Sequence, residues 1–278
     1  MALDPFVVSA RAATAEMRSV FSATPLLHSD LLSQRFDADI WLKREDLSPV
    51  RSYKLRGAFN AMRKVIGSHD AFVCASAGNH AQGVAFMCRH FGVKGVVFMP
   101  VTTPEQKVMK TQMFGGSHVE IKLVGDYFDE TLCASQDYCT AQGAYFLSPF
   151  DDEDVIEGQA SVAVEIEAQL GRVPDHIILP VGGGGLSAGM YSYFGKRCDY
   201  TFVEPTGAQS LKMAVEAGTP VTVSKVDTFV DGAAVARIGE RTFARLSGID
   251  GDDVLHLDED RICTTILEML NVEGIVLE

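Results

Sequence analysis

Short apolar runs alternate with stretches of helical spacing along most of the chain. Runs rich in Val, Ile, Leu and Phe mark buried strands at 40–42, 71–75, 95–99, 118–122, 145–147, 176–181, 200–203, 254–257 and 275–277. Between them, apolar residues recurring every three or four positions predict helices over 53–66, 81–91, 105–114, 128–142, 155–170, 187–194 and 261–271. Strands that are apolar almost throughout, each followed by a helix, predict an α/β fold of open, twisted, mostly parallel sheets flanked by helices. Ligands in such folds sit beyond the carboxyl ends of strands, where loops lead into helix N-termini. The last run, "GIVLE", breaks the rhythm: it reads as a strand with no crossover after it, so the final sheet is expected to be incomplete.

Composition changes this picture little. With 47% hydrophobic and 22% charged residues among 278, the chain has the make-up of a globular protein long enough for one large domain or two sharing a cleft. A formal net charge of −13 argues against a nucleic-acid surface, which needs a basic face. There is no stretch of about 18 apolar residues to span a membrane and no basic segment followed by an apolar core at the start. The expected compartment is the cytoplasm. Cys74, Cys88, Cys133, Cys139, Cys198 and Cys263 are scattered without a C-x-x-C pair, so neither a zinc site nor a disulfide framework is expected, and Cys74 in "AFVCASAG" reads as a buried free thiol.

Three loops carry candidate chemistry. In "PVGGGGLSAG" (180–189) consecutive glycines between a strand and a helix let backbone N–H groups converge on an anion such as phosphate. Gly183, Gly185 and Ala188 also satisfy G-x-G-x-x-A, with Glu204 roughly twenty residues on, so a dinucleotide site is the rival reading. In "ASAGNHAQG" (75–83), Ser76, Gly78 and Asn79 open a second helix and suit a carboxylate; Asn79 could equally serve as an N-cap, and His80 reads as packing behind the loop. In "VRSYKLRGA" (50–58), Ser52 is a good N-cap and Lys54 falls in the first helical turn, where the helix dipole opposes a cation. Arg51 and Arg56 flank it, and the expected field favours a neutral amine, the form that condenses with carbonyls. Two anion pockets and one activated lysine fit a phosphorylated aldehyde beside a carboxylate-bearing substrate. Pyridoxal 5′-phosphate (PLP) and an amino acid meet that description.

The stretches "LKREDLSPVRSYKLRGA", "SAGNHAQGVA", "VGGGGLSAG" and "FVDGAAV", in this order and spacing, resemble the fold-type II PLP enzymes (tryptophan synthase β-like) and, among them, the threonine dehydratase (threonine ammonia-lyase) family. The likeness runs from about Thr24 to the last residue. It implies that Lys54, beside Tyr53, forms the Schiff base with the cofactor, and that Asn79 bonds its ring hydroxyl oxygen. Ser76, Ala77 and Gly78, with Asn79 and His80, would hold the substrate; Gly182, Gly183, Gly184, Gly185 and Leu186 would hold the phosphate; Gly232 would line the ring. It further implies a large PLP-binding domain from 1–44 and 146–278 and a small domain from 45–145.

The implied reaction is dehydration and deamination of L-threonine, and of L-serine by the same route, to an oxo acid and ammonia, with Lys54 as the base at Cα. The family setting adds a cytoplasmic homodimer or homotetramer in amino-acid metabolism and isoleucine biosynthesis. Two departures bear on this. Serine racemases of this fold carry a serine where Ala77 stands, and they bind a divalent cation with an Asp where Ser210 stands, although Glu204 matches; no metal is expected. Family members also continue past the segment of which Leu277 and Glu278 remain, and the stretch beyond carries the partner of the pyridine nitrogen, so an incomplete large domain is expected. Open alternatives are a β-replacement enzyme of the same fold, a serine racemase, an NAD-dependent oxidoreductase and a non-catalytic remnant.

Overall fold

In the computed structural model, which describes residues 4–277, the elements follow one another as α1 (Pro5–Met17), β1 (Leu26–His28), α2 (Asp30–Phe36), β2 (Trp41–Lys43), α3 (Lys54–Val65), β3 (Ala71–Ala75), α4 (Asn79–Phe91), β4 (Lys94–Met99), α5 (Glu105–Gly115), β5 (Val119–Leu123), α6 (Phe128–Gln142) and β6 (Tyr145–Phe146). They continue with α7 (Glu153–Gln159), α8 (Ser161–Leu170), β7 (His176–Pro180), α9 (Gly185–Phe194), β8 (Asp199–Pro205), α10 (Ser210–Ala217), α11 (Glu240–Arg245), β9 (Val254–Leu257) and α12 (Glu259–Glu268). Strands β5-β4-β3-β6 form one parallel sheet and β7-β8-β9 another, while β1 and β2 pair antiparallel.

The four-stranded sheet shows why its strands are apolar throughout. Phe72, Cys74, Val97 and Met99 join the core under α3 and α4, whereas Val73, Ala75, Val96 and Phe98 meet Leu132 and Tyr138 of α6 on the opposite face. Alternate side chains thus enter two different cores, as a strand period of two requires. In the three-stranded sheet β7 is buried on one face only: Ile177 and Leu179 are covered, while Ile178 is 73% exposed. The two units are joined by α3 lying on α7. Gly57 and Gly158 face each other there, and a methyl group on Gly158 would come within 2.6 Å of Arg56 O and 2.8 Å of Gly57 Cα.

Several expectations need correction. Residues 275–277 form no strand: α12 runs into a π-helical turn over Met269–Glu273, Gly274 takes a left-handed φ of 66°, and the backbone from there is irregular. Only Ile275 is buried and Val276 is 66% exposed, and the segment pairs with no strand among the described residues, since strand-forming composition alone does not supply a partner. The helix expected over 155–170 is two helices broken at Ala160, where Gly189 of α9 approaches so closely that a methyl group on it would lie 2.8 Å from Ala160 N. The pattern also missed β1, α2, α10, α11 and, most consequentially, α1, whose small buried residues Ala10, Ala13 and Thr14 carry little hydrophobic signal. Asp4 accepting from Phe6 N, with Pro5 at the first helical position, was the legible start signal there. All six cysteines are free and Cys74 is buried. No helix among the described residues is long and apolar enough to cross a membrane.

Candidate active site

Lys54 is the first residue of α3, and the turn before it is built to put it there. Arg51 takes a left-handed φ of 58°, Ser48 Oγ accepts from Ser52 N at 2.9 Å, and Ser52 Oγ accepts from Lys54 N at 3.2 Å. Ser52 therefore caps from one position further out than expected, Tyr53 being the residue at the helix boundary. The Lys54 side chain lies deep among protein atoms. Its Nζ donates to Pro149 O at 2.8 Å, with the rings of Tyr53 and Phe150 centred 5.6 and 6.0 Å away. Burial pushes its pKa down to about 8. The flanking arginines, expected to contribute, do not: Arg51 is exposed, and Arg56 turns into a different chamber where Glu45 and Glu165 take up its charge. Desolvation is the cause that lowers this amine's pKa.

The 76–78 loop leaves the carboxyl end of β3 and enters α4. Ser76 N donates to Phe98 O at 3.0 Å and Gly78 N to Ser76 Oγ at 3.2 Å. Asn79 is the first residue of α4 and Gly78 stands at the cap position without a side-chain cap, so Asn79 is not the cap. Gly83, one turn on, packs on the start of α3: a methyl group there would be 3.0 Å from Leu55 N and 3.2 Å from Lys54 C. That approach sets Lys54 beside the 76–78 loop. His80 is 3% exposed, with its Nε2 on Leu147 O at 2.9 Å; burial, reinforced by the charge of Lys54, pulls its pKa down to about 3. It is a neutral ring tying α4 to the end of β6.

The glycine loop, 182–185, leaves β7 and becomes the first turn of α9, whose leading N–H groups have no acceptor within the helix. Gly184 takes a φ of 86°, which a side chain resists. A methyl group on Gly183 would collide with the Phe150 ring, and Thr242 Oγ1 donates to Gly183 O at 2.8 Å. The loop is thus a rigid, Cβ-free cradle fit for an anion. Gly232 lies across it, with its carbonyl 3.1 Å from where a Gly182 methyl would be, and Gly232 itself faces open space. Leu186 packs on the large apolar cluster beneath. Lys54, the 76–78 loop, the glycine loop and Gly232 are therefore brought close together, linked through Phe150 on one side and Asp231 on the other, whose Oδ2 is 3.9 Å from a Gly78 methyl.

The segment 148–152, "SPFDD", is a hub that pattern reading passed over. Pro149 O holds Lys54, and Phe150 backs Gly183. Asp151 accepts from Arg241 N at 2.8 Å at the start of α11, and Asp152 accepts from Asp154 N at 2.8 Å as the cap of α7. Two aspartates after a Pro-Phe at the end of an apolar run were the available signal, because Asp before a helical stretch marks an N-cap. The dinucleotide reading fails on Glu204. Its carboxylate is wholly buried, accepts from Leu211 N at 2.7 Å and Lys212 N at 3.0 Å, and cannot reach out to a ribose.

The sequence profile of the family described as "Pyridoxal-phosphate dependent enzyme" matches residues 18–278. The chain is 45% identical over 267 residues to the biosynthetic L-threonine dehydratase IlvA of Bacillus subtilis, covering 94% of this chain and 63% of that protein. It is 44% identical over 270 residues to its counterpart in Lactococcus lactis, covering 94% and 65%. The chain thus spans just under two thirds of these relatives. Among solved structures, the processed form of threonine deaminase isoform 2 from Solanum lycopersicum superposes with a TM-score of 0.91 at 36% identity, covering 98% of this chain and 75% of that one. The matched span takes in Lys54, the 76–78 loop, the glycine loop and Gly232, and the chain belongs to the family of pyridoxal-phosphate dependent enzymes.

Proposed function

We propose that the protein catalyses the PLP-dependent dehydration and deamination of L-threonine to 2-oxobutanoate and ammonia, and of L-serine to pyruvate. The observation that carries this reading is Lys54, a buried amine with a pKa of about 8, set between two anion cradles in a chain that is 45% identical to an L-threonine dehydratase. The residues present fit the cofactor. The Cβ-free glycines 182–185 and the first turn of α9 leave donors for a phosphate, Gly232 leaves open space for a flat ring, and Lys54 offers an amine to an aldehyde. When bound, the cofactor supplies an electron sink for negative charge developing at the substrate's Cα.

The chain's own groups do the rest. The 76–78 loop and the start of α4 orient the substrate carboxylate, Asn79 would bond the cofactor's ring hydroxyl oxygen, and His80 ties α4 to Leu147 O behind them. With the cofactor bound, Lys54 would be a nearby base of suitable pKa to take the Cα proton. The rings of Phe150 and Tyr53 flank that amine. Departure of the β-hydroxyl as water, followed by addition of water and release of ammonia, balances the conversion to the oxo acid. Ala77 leaves the opposite face of the cleft without a hydroxyl there, which disfavours racemisation.

On this reading the protein acts in the cytoplasm as a homodimer or homotetramer, feeding isoleucine synthesis. The test is to supply L-threonine to the PLP-loaded chain and measure oxo acid and ammonia. Equimolar 2-oxobutanoate and ammonia are expected; a loaded chain that yields neither contradicts the reading.

A further inference from the structure

The seam between the two units is built differently at its two ends. At the closed end α3 is bonded to α7 by Lys64 with Asp154 at 2.6 Å and Glu157 at 2.9 Å, and by Asn60 Nδ2 on Asp154 O at 2.7 Å. At the open end Lys107 of α5 reaches across to Asp231, and this is the one ion pair among the described residues that joins residues 66–146 to residues 148–277. Both partners are held by their backbones. Thr111 Oγ1 donates to Lys107 O at 3.0 Å, and Val230 O accepts from Ala233 N and Ala234 N at 2.9 Å each, a turn that presents Asp231 outward. Because Asp231 Oδ2 lies 3.9 Å from a Gly78 methyl position, its carboxylate stands at the lip of the 76–78 loop.

That placement creates a conflict if the loop takes a carboxylate. Two carboxylates at one mouth repel unless a cation lies between them, and a net charge of −13 on the chain does nothing to relieve it. We propose that Lys107 is a positioning residue for the substrate's carboxylate: it neutralises Asp231 at the mouth of the cleft and so admits the carboxylate of an α-amino acid to the 76–78 loop. This rests on reading the cleft as a PLP and amino-acid site. It differs from a mechanical clasp between the two units, for which removal of either partner would have the same effect.

The experiment titrates the PLP-loaded protein with L-alanine, which has the carboxylate but no β-leaving group, and with L-alaninamide, which lacks the carboxylate charge, following the cofactor's absorption. Lys107→Gln should weaken L-alanine about tenfold, as loss of a charge partner does, while leaving L-alaninamide within about twofold. Adding Asp231→Asn should bring L-alanine back to within about threefold of the parent, because the repelling charge has gone. For L-threonine the change should appear in KM, with kcat within about twofold of the parent. A double variant as weak as Lys107→Gln, or equal weakening of L-alanine and L-alaninamide, overturns the proposal. A chain that never takes up PLP overturns both this and the proposed function. Lys107-dependent binding of L-alanine without oxo acid from L-threonine supports the proposal and sinks the dehydratase reading instead.

Discussion

Lys54 and Arg56 stand two residues apart in the first turn of one helix, and the protein treats their charges in opposite ways. Arg56 is fully buried, but its guanidinium reaches Glu45 at 2.8 Å and Glu165 at 2.8 Å, with Ser161 and Thr24 completing its bonds. Burial opposes its charge, and the two glutamates outweigh that, holding its pKa above the ordinary value. Glu165 also receives Arg18 at 2.5 Å and Lys43 at 2.6 Å; despite burial, the bond from Arg56 and the charges around it bring its pKa down to about 2. Lys54 is given a carbonyl oxygen, two aromatic rings and, among the described residues, no carboxylate in ion-pair reach. One chamber holds a charge between two glutamates; the other leaves Lys54 without a charge partner, which suits the reactive amine proposed above. A perturbed group with its charge partners supplied is architecture, and one without them, beside two loops rich in free backbone donors, is a candidate site.

The largest effect expected from breaking this contrast is at the reactive end. Lys54→Ala should abolish the lysine-dependent cofactor band and lower turnover of L-threonine by at least about a thousandfold, read by absorption and oxo-acid release. At the other end, Glu165→Ala leaves Arg56 buried with one partner lost and should cost about 3–5 kcal/mol in urea unfolding. The protein that remains folded should still show the Lys54 band, because the two chambers do not share groups.

Acidity separates the chambers more finely. The folded pKa of Glu165, about 2, lies below its ordinary value of 4.5, so its contribution to stability is complete above 4.5 and is lost as pH falls from there toward 2. The folded pKa of Lys54, about 8, lies below its ordinary 10.5, so the unfolded chain binds more protons in that window. The cofactor-free protein should therefore gain stability from this group as pH rises from 8 to 10.5, and the gain should vanish in Lys54→Met. Urea midpoints across pH check both signs.

The smallest change is at the cradle. Gly183→Ala forces the Phe150 ring to move and should cost about 1–3 kcal/mol together with cofactor affinity. Gly232→Ala meets no atom within 4 Å and should alter stability by less than about 0.5 kcal/mol while still weakening PLP. Thermal melts and cofactor titration separate the two.

Much of this was legible before any coordinates. The strands at 71–75 and 254–257 and the helix at 128–142 follow from periodicity alone, and the three loops follow from glycines, small residues and a misplaced lysine. The reason for the lysine's lowered pKa was not legible. Flanking arginines looked responsible because sequence places them near, but a helix turns 100° per residue, so Arg56 points away from Lys54. The SPFDD hub was missed because Pro149, Phe150, Asp151 and Asp152 each serve a different element, a convergence only the folded chain creates. The 275–277 run misled because β-type composition states a preference, not a partner.

The claim that Lys54 is a reactive amine is tested most directly by the absorption spectrum of the purified chain with PLP, recorded for the parent and for Lys54→Ala, before and after L-threonine. A band near the violet edge of the visible, present only in the parent and changed by L-threonine as 2-oxobutanoate appears, is the predicted result. An identical band in Lys54→Ala, or none in either, contradicts it.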